Sequence, residues 1–105
     1  MNYFTIVTYH PNKGQSVAEL EALYAAVVPK FARVRGLVRK YFGYDVDNNT
    51  GTSVYLWNSR EEAEVFYAKP AFQESFRAAF GCDIASIQYV PVRAISEHEA
   101  REGDE

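Results

Sequence analysis

Residues 54–76, VYLWNSREEAEVFYAKPAFQESF, pass from one kind of periodicity to another and back. The first four residues close an apolar run, Thr52 to Trp57 (TSVYLW), rich in the β-branched and aromatic residues that favour strands. Ser59-x-x-Glu62 follows as a capping box, in which the serine hydroxyl takes one orphan backbone donor and the glutamate reaches back for another. It opens a helix with Ala63, Phe66 and Tyr67 inward. Lys69-Pro70 interrupts that helix, and Pro70 suits the first turn of a second piece. Phe72, Phe76, Ala79 and Phe80 then recur at i, i+4, i+7 and i+8, and Gly81 is the expected stop.

Working outward, the N-terminal half repeats this unit. Tyr3 to Tyr9 (YFTIVTY) reads as a strand closed by the turn cluster His10 to Gly14. A second capping box, Ser16-x-x-Glu19, precedes Val17, Leu20, Leu23, Tyr24, Val27, Val28 and Phe31 at helical spacing, with Pro29 expected to kink or end the helix. After Gly36, Leu37 to Asp45 reads as a strand, and Asp47 to Gly51 is a tight connection that makes a hairpin with Thr52 to Trp57. Ile84 to Val92 supplies the last strand, Pro91 suiting a strand end or edge.

The order β-α-β-β-α-β is the ferredoxin-like arrangement, an α+β fold. Right-handed crossovers place both helices on one face of a four-stranded antiparallel sheet. In the first strand Phe4, Ile6 and Thr8 alternate with Tyr3, Thr5, Val7 and Tyr9, in the third Val54 and Leu56 with Tyr55 and Trp57, and in the last Ile87 and Tyr89 stand against Val90 and Val92, so neither face is expected to be polar. Four strands of about six residues cover roughly 400 Å² in flat projection. A monomer usually exposes at most ~300–600 Å² of apolar patch. A second copy, sheet against sheet, is the expected cover, giving a homodimer.

The chain has 105 residues, enough for one domain, with 48% hydrophobic and 15% aromatic residues to fill its core. No apolar stretch approaches the ~20 residues of a membrane span. The chain begins in a strand, without the charged and apolar regions of a signal peptide, and its single Cys82 makes no internal disulfide. A cytoplasmic protein is expected. The domain is read as residues 1–96 and a mobile acidic tail as 97–105; the tail carries a net −4 of the chain's −3. The remaining body, near neutrality, offers no electrostatic footprint for nucleic acid. Its one basic run is Lys30, Arg33, Arg35, Arg39 and Lys40. One reading is a solvated helix end favoured by the helix dipole, the other a guide for an anionic substrate.

Two stretches, residues 54–76 and FARVRGLVRKYFGYD (31–45), resemble the dimeric α+β-barrel proteins, and within them the antibiotic-biosynthesis-type mono-oxygenases of unassigned substrate. The likeness runs from about Tyr3 to Val92. Its haem-degrading branch uses an axial histidine in the broken second helix, and Pro70 to Phe80 contains none. Its cofactor-independent, quinone-forming members use a tryptophan ending the third strand, an asparagine shortly before it, and a tyrosine and an arginine on the second helix. Trp57, Tyr67 and Arg77 fall on that pattern, while Ser53 or Thr52 stands where the asparagine would be sought.

The residues give the same chemistry a plausible setting. No glycine-rich loop is present to cradle a nucleotide. His10 and His98 stand apart from any spaced set of ligands, so no metal site is expected, and Cys82 has no nearby histidine to act as base. What remains is an aromatic pocket between helices and sheet, opened by the break at Lys69-Pro70 and lined by Trp57, Tyr55, Phe66, Tyr67, Phe72, Phe76 and Phe80. In it a phenolic substrate would bind as its anion, stabilised by Arg77. Tyr67 or Tyr41 would hydrogen-bond its oxygen, and His10 would serve as base. An electron-rich phenolate passes an electron to O₂ without flavin or metal, so no cofactor is expected. The reading is a cofactor-independent mono-oxygenase for a small aromatic or polycyclic compound. Its rivals are a non-catalytic module binding an apolar small molecule in the same cavity, and an assembly protein whose pocket is filled by its own side chains.

Overall fold

Each helix starts and stops where local chemistry dictates. Ser16 accepts the amide of Glu19 at 3.1 Å and Glu19 returns to the amide of Ser16 at 3.0 Å, completing the box that opens helix α1, Val17–Phe31. Ser59 likewise caps helix α2, Arg60–Ala68, but Glu62 takes the Ser59 hydroxyl rather than its amide. Lys69 is extended, Pro70 opens helix α3, Pro70–Phe80, and Gly81 closes it in the left-handed conformation that glycine adopts without steric cost. Pro29 lies within the last turn of α1, which ends two residues later.

The computed structural model describes residues 1–98, so all but the first two residues of the tail expected over 97–105 lie outside the described residues. Its four strands are β1, Tyr3–Tyr9, β2, Leu37–Asp45, β3, Thr50–Trp57, and β4, Ile84–Pro91. They form one antiparallel sheet in the order β2-β3-β1-β4, with the three helices on one face. The ferredoxin-like α+β fold is as expected. Thr5, Val7 and Tyr9 of β1 and Ser53, Tyr55 and Trp57 of β3 are buried beneath the helices. Leu20, Tyr24, Ala63, Tyr67 and Phe80 close over them. Val17 and Val28, which share the helical spacing of the α1 apolar residues, are exposed.

Two features correct the sequence reading. The pairing of β2 with β3 shifts between Leu37 and Arg39, so Leu37 and then Lys40, Phe42 and Tyr44 face the helices, while Arg39, Tyr41 and Asp45 face the other way. The open face is therefore mixed rather than wholly apolar. Phe4, Ile6, Val54, Leu56 and Val90 form an apolar band, but Thr8, Thr52, Ser86, Gln88 and Arg39 share that face.

The β1–α1 connection reaches across to α3. Asn12 donates its amide to the Phe80 carbonyl at 2.8 Å, Lys13 its ammonium to Ala78 at 2.8 Å, and Gln15 its amide nitrogen to Ala79 at 2.9 Å. The last turn of α3 thus has its carbonyls met from another segment, one of them by a cation placed favourably for the helix dipole.

Candidate functional site

A cavity of about 350 Å³ lies between the sheet and the helices. Leu23, Tyr24, Val27 and Phe31 come from α1, Tyr9, Lys40, Phe42, Ser53 and Tyr55 from the strands, and Phe66, Phe72, Phe76 and Phe80 from the broken helix pair. Because α2 stops at Lys69, the Phe66 and Phe72 rings meet in a tilted arrangement, centroids 4.6 Å apart, across the break, forming one wall that a continuous helix would have aimed differently. The exposed Lys30, Lys69, Ala71 and Ser75 surround its mouth.

Its polar atoms are few. The hydroxyls of Tyr9 and Tyr24 are 2.7 Å apart, and burial raises the pKa of both phenols, as it does that of Tyr55. Among the described residues, Lys40 is the charged group inside, Lys30 and Lys69 standing at the mouth. Its Nζ lies 3.4 Å from the centroid of the Phe31 ring, 4.0 Å from that of Phe42 and 4.5 Å from that of Tyr55. Loss of hydration pulls its pKa down to about 7, although ring faces attract a cation. At neutral pH the amine therefore sits near the midpoint of its titration, poised either to hold an anion or to accept a proton.

The residues expected to act together are separated. Tyr55, Phe66, Phe72, Phe76 and Phe80 line the cavity. Trp57 is fully buried one layer behind it, stacked on Tyr55 at 5.7 Å, and donates its indole N–H to the Thr5 hydroxyl at 3.0 Å. Tyr67 shares that partner, 2.7 Å from the same oxygen, and burial raises its pKa, so its phenol stays neutral. Arg77 is exposed and pairs with Asp83 at 2.8 Å. It lines a separate polar groove of about 460 Å³ with Tyr67, Gln73, Asp83 and residues 84–87. The roughly 100° between successive helical residues carries it away from the stripe of Phe72, Phe76 and Phe80 and towards β4. His10 donates from Nδ1 to the Asn49 carbonyl at 3.0 Å on the surface, and Tyr41 is exposed on the open face of β2. Arg77, His10, Tyr41, Trp57 and Tyr67, all expected in the cavity, thus lie outside its lining, and Trp57 and Arg77 share no cavity.

Sequence reasoning missed Lys40, Tyr9, Tyr24, Phe31 and Phe42 as lining residues. The signal for Lys40 was its place in the basic run, one reading of which was a guide for an anion. Among the described residues no group of three or more histidine, cysteine, aspartate or glutamate side chains is arranged to hold a metal. Burial raises the pKa of Cys82, which keeps its thiol protonated.

No protein-family model matches the sequence, and no curated protein matches it. Solved structures do. SnoaB, a cofactor-independent oxygenase from Streptomyces nogalater, is 19% identical and superposes with a TM-score of 0.66 over 90% of this chain and 95% of its own. A candidate antibiotic biosynthesis monooxygenase from Bordetella bronchiseptica is 20% identical, with a TM-score of 0.67 over 89% of this chain and 98% of its own. Another from Chloroflexus aurantiacus is 19% identical, with a TM-score of 0.62 over 91% and 98%. The chain shares the ferredoxin-like α+β fold of these structures. Coverage is near-complete in both directions, so the shared fold takes in most of this chain and nearly all of each neighbour. Among the described residues, no helix is long and apolar enough to cross a membrane.

Proposed function

We propose that this chain is a cofactor-independent mono-oxygenase for a small aromatic or polycyclic phenol, working as a homodimer of single domains spanning residues 1–96. The observation that carries the proposal is the aromatic cavity of about 350 Å³, within the ~300–1,000 Å³ of ordinary small-molecule sites. A substrate there loses its water, lies against ring faces and meets few polar groups. Under such conditions an electron-rich phenolate is the reductant, and the protein orients it and excludes solvent. For oxidation of a phenol to a quinone the balance closes without another reagent. One atom of O₂ enters the product, the other leaves as water, and the substrate supplies all the electrons. The likeness to SnoaB supports this reading at the level of fold.

The apolar band of Phe4, Ile6, Val54, Leu56 and Val90 supports pairing of two copies through the sheet face.

A second reading is favoured by one specific observation. The Trp57 N–H and the Tyr67 hydroxyl are both engaged by Thr5, and Arg77 is engaged by Asp83 outside the cavity. A cavity whose expected catalytic groups are occupied elsewhere suits a non-catalytic binding module. Oxygen consumption with a panel of polycyclic phenols decides between them. Uptake matched one-to-one by quinone formation supports the oxygenase. Tight binding with no uptake across the panel removes it and leaves the binding module.

A further inference from the structure

We infer that Lys40 is the anion-receiving group of the aromatic cavity, and that the cavity's ligand is a small aromatic compound carrying one negative charge, a carboxylate or a phenolate. The inference deepens the reading of this cavity as an aromatic site and rests on it, but it does not depend on oxygen chemistry.

Lys40 reaches the cavity because the register shift after Leu37 turns it to the helix side, opposite Tyr55. A lysine stem commonly lies along apolar surface with its head returned to water. Here the head itself lies against three ring faces, within 3.4–4.5 Å of their centroids. Among the described residues it makes no ion pair, and the cavity lining holds Lys30, Lys40 and Lys69 with no carboxylate. Lys40 is half-buried, and a partly desolvated charge without an ion-pair partner is costly, so structures keep few of them without a reason. The counter-charge that this lining lacks is the one a ligand would bring. Its rings would occupy the space between Phe66, Phe72 and Phe76, and the two exposed lysines at the mouth would attract it from solution. A volume of about 350 Å³ suits one or two fused rings.

The titratable groups that share the lining are Tyr9 from β1, Tyr24 and Lys30 from α1, Tyr55 from β3, and Lys69 between the two later helices. Burial raises the pKa of the three phenols, so they remain neutral, whereas Lys40 loses its proton near pH 7. Binding of a carboxylate just above that pH must therefore draw a proton onto Lys40 from the buffer. A phenol would instead pass its own proton to Lys40 and bind as phenolate.

The test is calorimetric titration, slightly above neutral pH and in two buffers of different ionisation enthalpy. Wild type and Lys40→Met are titrated with a naphthoate, a naphthol and the uncharged naphthamide of the same shape. At least one of the two acids should bind wild type about tenfold or more tightly than naphthamide, as a charge-assisted contact supplies. Lys40→Met should abolish that preference while keeping naphthamide affinity within about threefold, which reports an intact cavity. A preference for naphthoate should come with proton uptake, and a preference for naphthol with the absorbance of naphtholate. Both signatures should vanish in Lys40→Met and persist in Lys30→Gln/Lys69→Gln. Equal affinity for all three probes, or a preference that survives Lys40→Met, overturns the inference while leaving the aromatic cavity standing. Failure of every probe to bind removes the cavity reading and this inference together. Binding with the Lys40 signature but without oxygen uptake would retain the inference and discard the oxygenase.

Discussion

The indole N–H of Trp57 is 3.0 Å from the hydroxyl oxygen of Thr5, and the hydroxyl of Tyr67 approaches the same atom at 2.7 Å. One small side chain on β1 thus satisfies the polar atoms of two large rings, one from β3 and one from α2. Both rings are almost wholly buried, so neither polar atom has water as an alternative. Thr5→Val keeps the shape and deletes the shared partner. It should destabilise the fold by about 2–4 kcal/mol, because two buried groups are left unpaired. Thr5→Ser, which keeps the hydroxyl, should lose only about 1 kcal/mol. Urea titration of the three proteins checks this, and equal midpoints for Thr5→Val and wild type would refute the assignment.

Arg77→Ala should be nearly silent. Its partner Asp83 is as exposed as it is, with side chains 72% and 62% accessible, so the pair is screened by water and salt. Stability should change by no more than about 0.5 kcal/mol, and affinity for aromatic ligands should hold. A loss of binding beyond about tenfold would return Arg77 to the site.

Gly51→Ala should be harmful despite its small size. The Tyr9 ring lies where an added Cβ would sit, and that ring is fully buried with its hydroxyl tied to Tyr24. The ring must move into the cavity or the strands must part, at about 1–3 kcal/mol. Denaturation midpoints measure the loss, and a reduced affinity for aromatic probes would accompany it.

Stability should rise on going from pH 7 to about pH 9. Lys40 has its pKa lowered to about 7 in the fold against about 10.4 in an open chain, so between those values the unfolded state binds more protons. The penalty is fully present below pH 7 and is relieved as pH climbs. Above about pH 9–10 the sign reverses, because Cys82, Tyr9, Tyr24, Tyr55 and Tyr67 have raised pKa values and ionise first in the unfolded chain. Lys40→Met should flatten the rise and leave the fall. A wild-type curve that declines from pH 7 upward would contradict this.

Light scattering at micromolar concentration should give twice the chain mass. Leu56 lies on the open face between Phe4 and Arg39, so Leu56→Lys should give a monomer that remains folded. A wild-type monomer throughout would end the sheet-to-sheet reading.

The legible parts of this chain were those fixed by local chemistry. Ser16, Ser59, Pro70 and Gly81 announce helix boundaries because each meets a need of its own neighbours. The aromatic wall of Phe66, Phe72, Phe76 and Phe80 was legible for the same reason, as a helical stripe. Strand β2 was not. Alternation counted from Leu37 carries Arg39 and Tyr41 inward, and the shift before Arg39 reverses the parity, so Tyr41 is outside and Lys40 inside. No residue in that stretch marks the irregularity, since it is set by pairing with β3. Trp57 and Arg77 were misjudged similarly: Thr5 lies 52 residues from Trp57 in the chain, and Asp83 lies beyond the end of α3.

The three donors that bind the final carbonyls of α3 have a mechanical consequence. Asn12, Lys13 and Gln15 pin this helix at its Phe80 end, whereas its other end is joined to α2 across the extended Lys69, by the Gln73 side-chain amide donating to the Tyr67 carbonyl at 3.1 Å and by Phe72 against Phe66. A rod held by three hydrogen bonds at one end and by a single side-chain hydrogen bond beside a backbone break at the other moves most at the break. Breathing of α3 should therefore widen the space beside Lys69 and Phe72 while the rings of Tyr9, Tyr24 and Phe80 hold their spacing. A guest molecule would enter and leave past Lys69, and the deep end of its berth would stay rigid throughout.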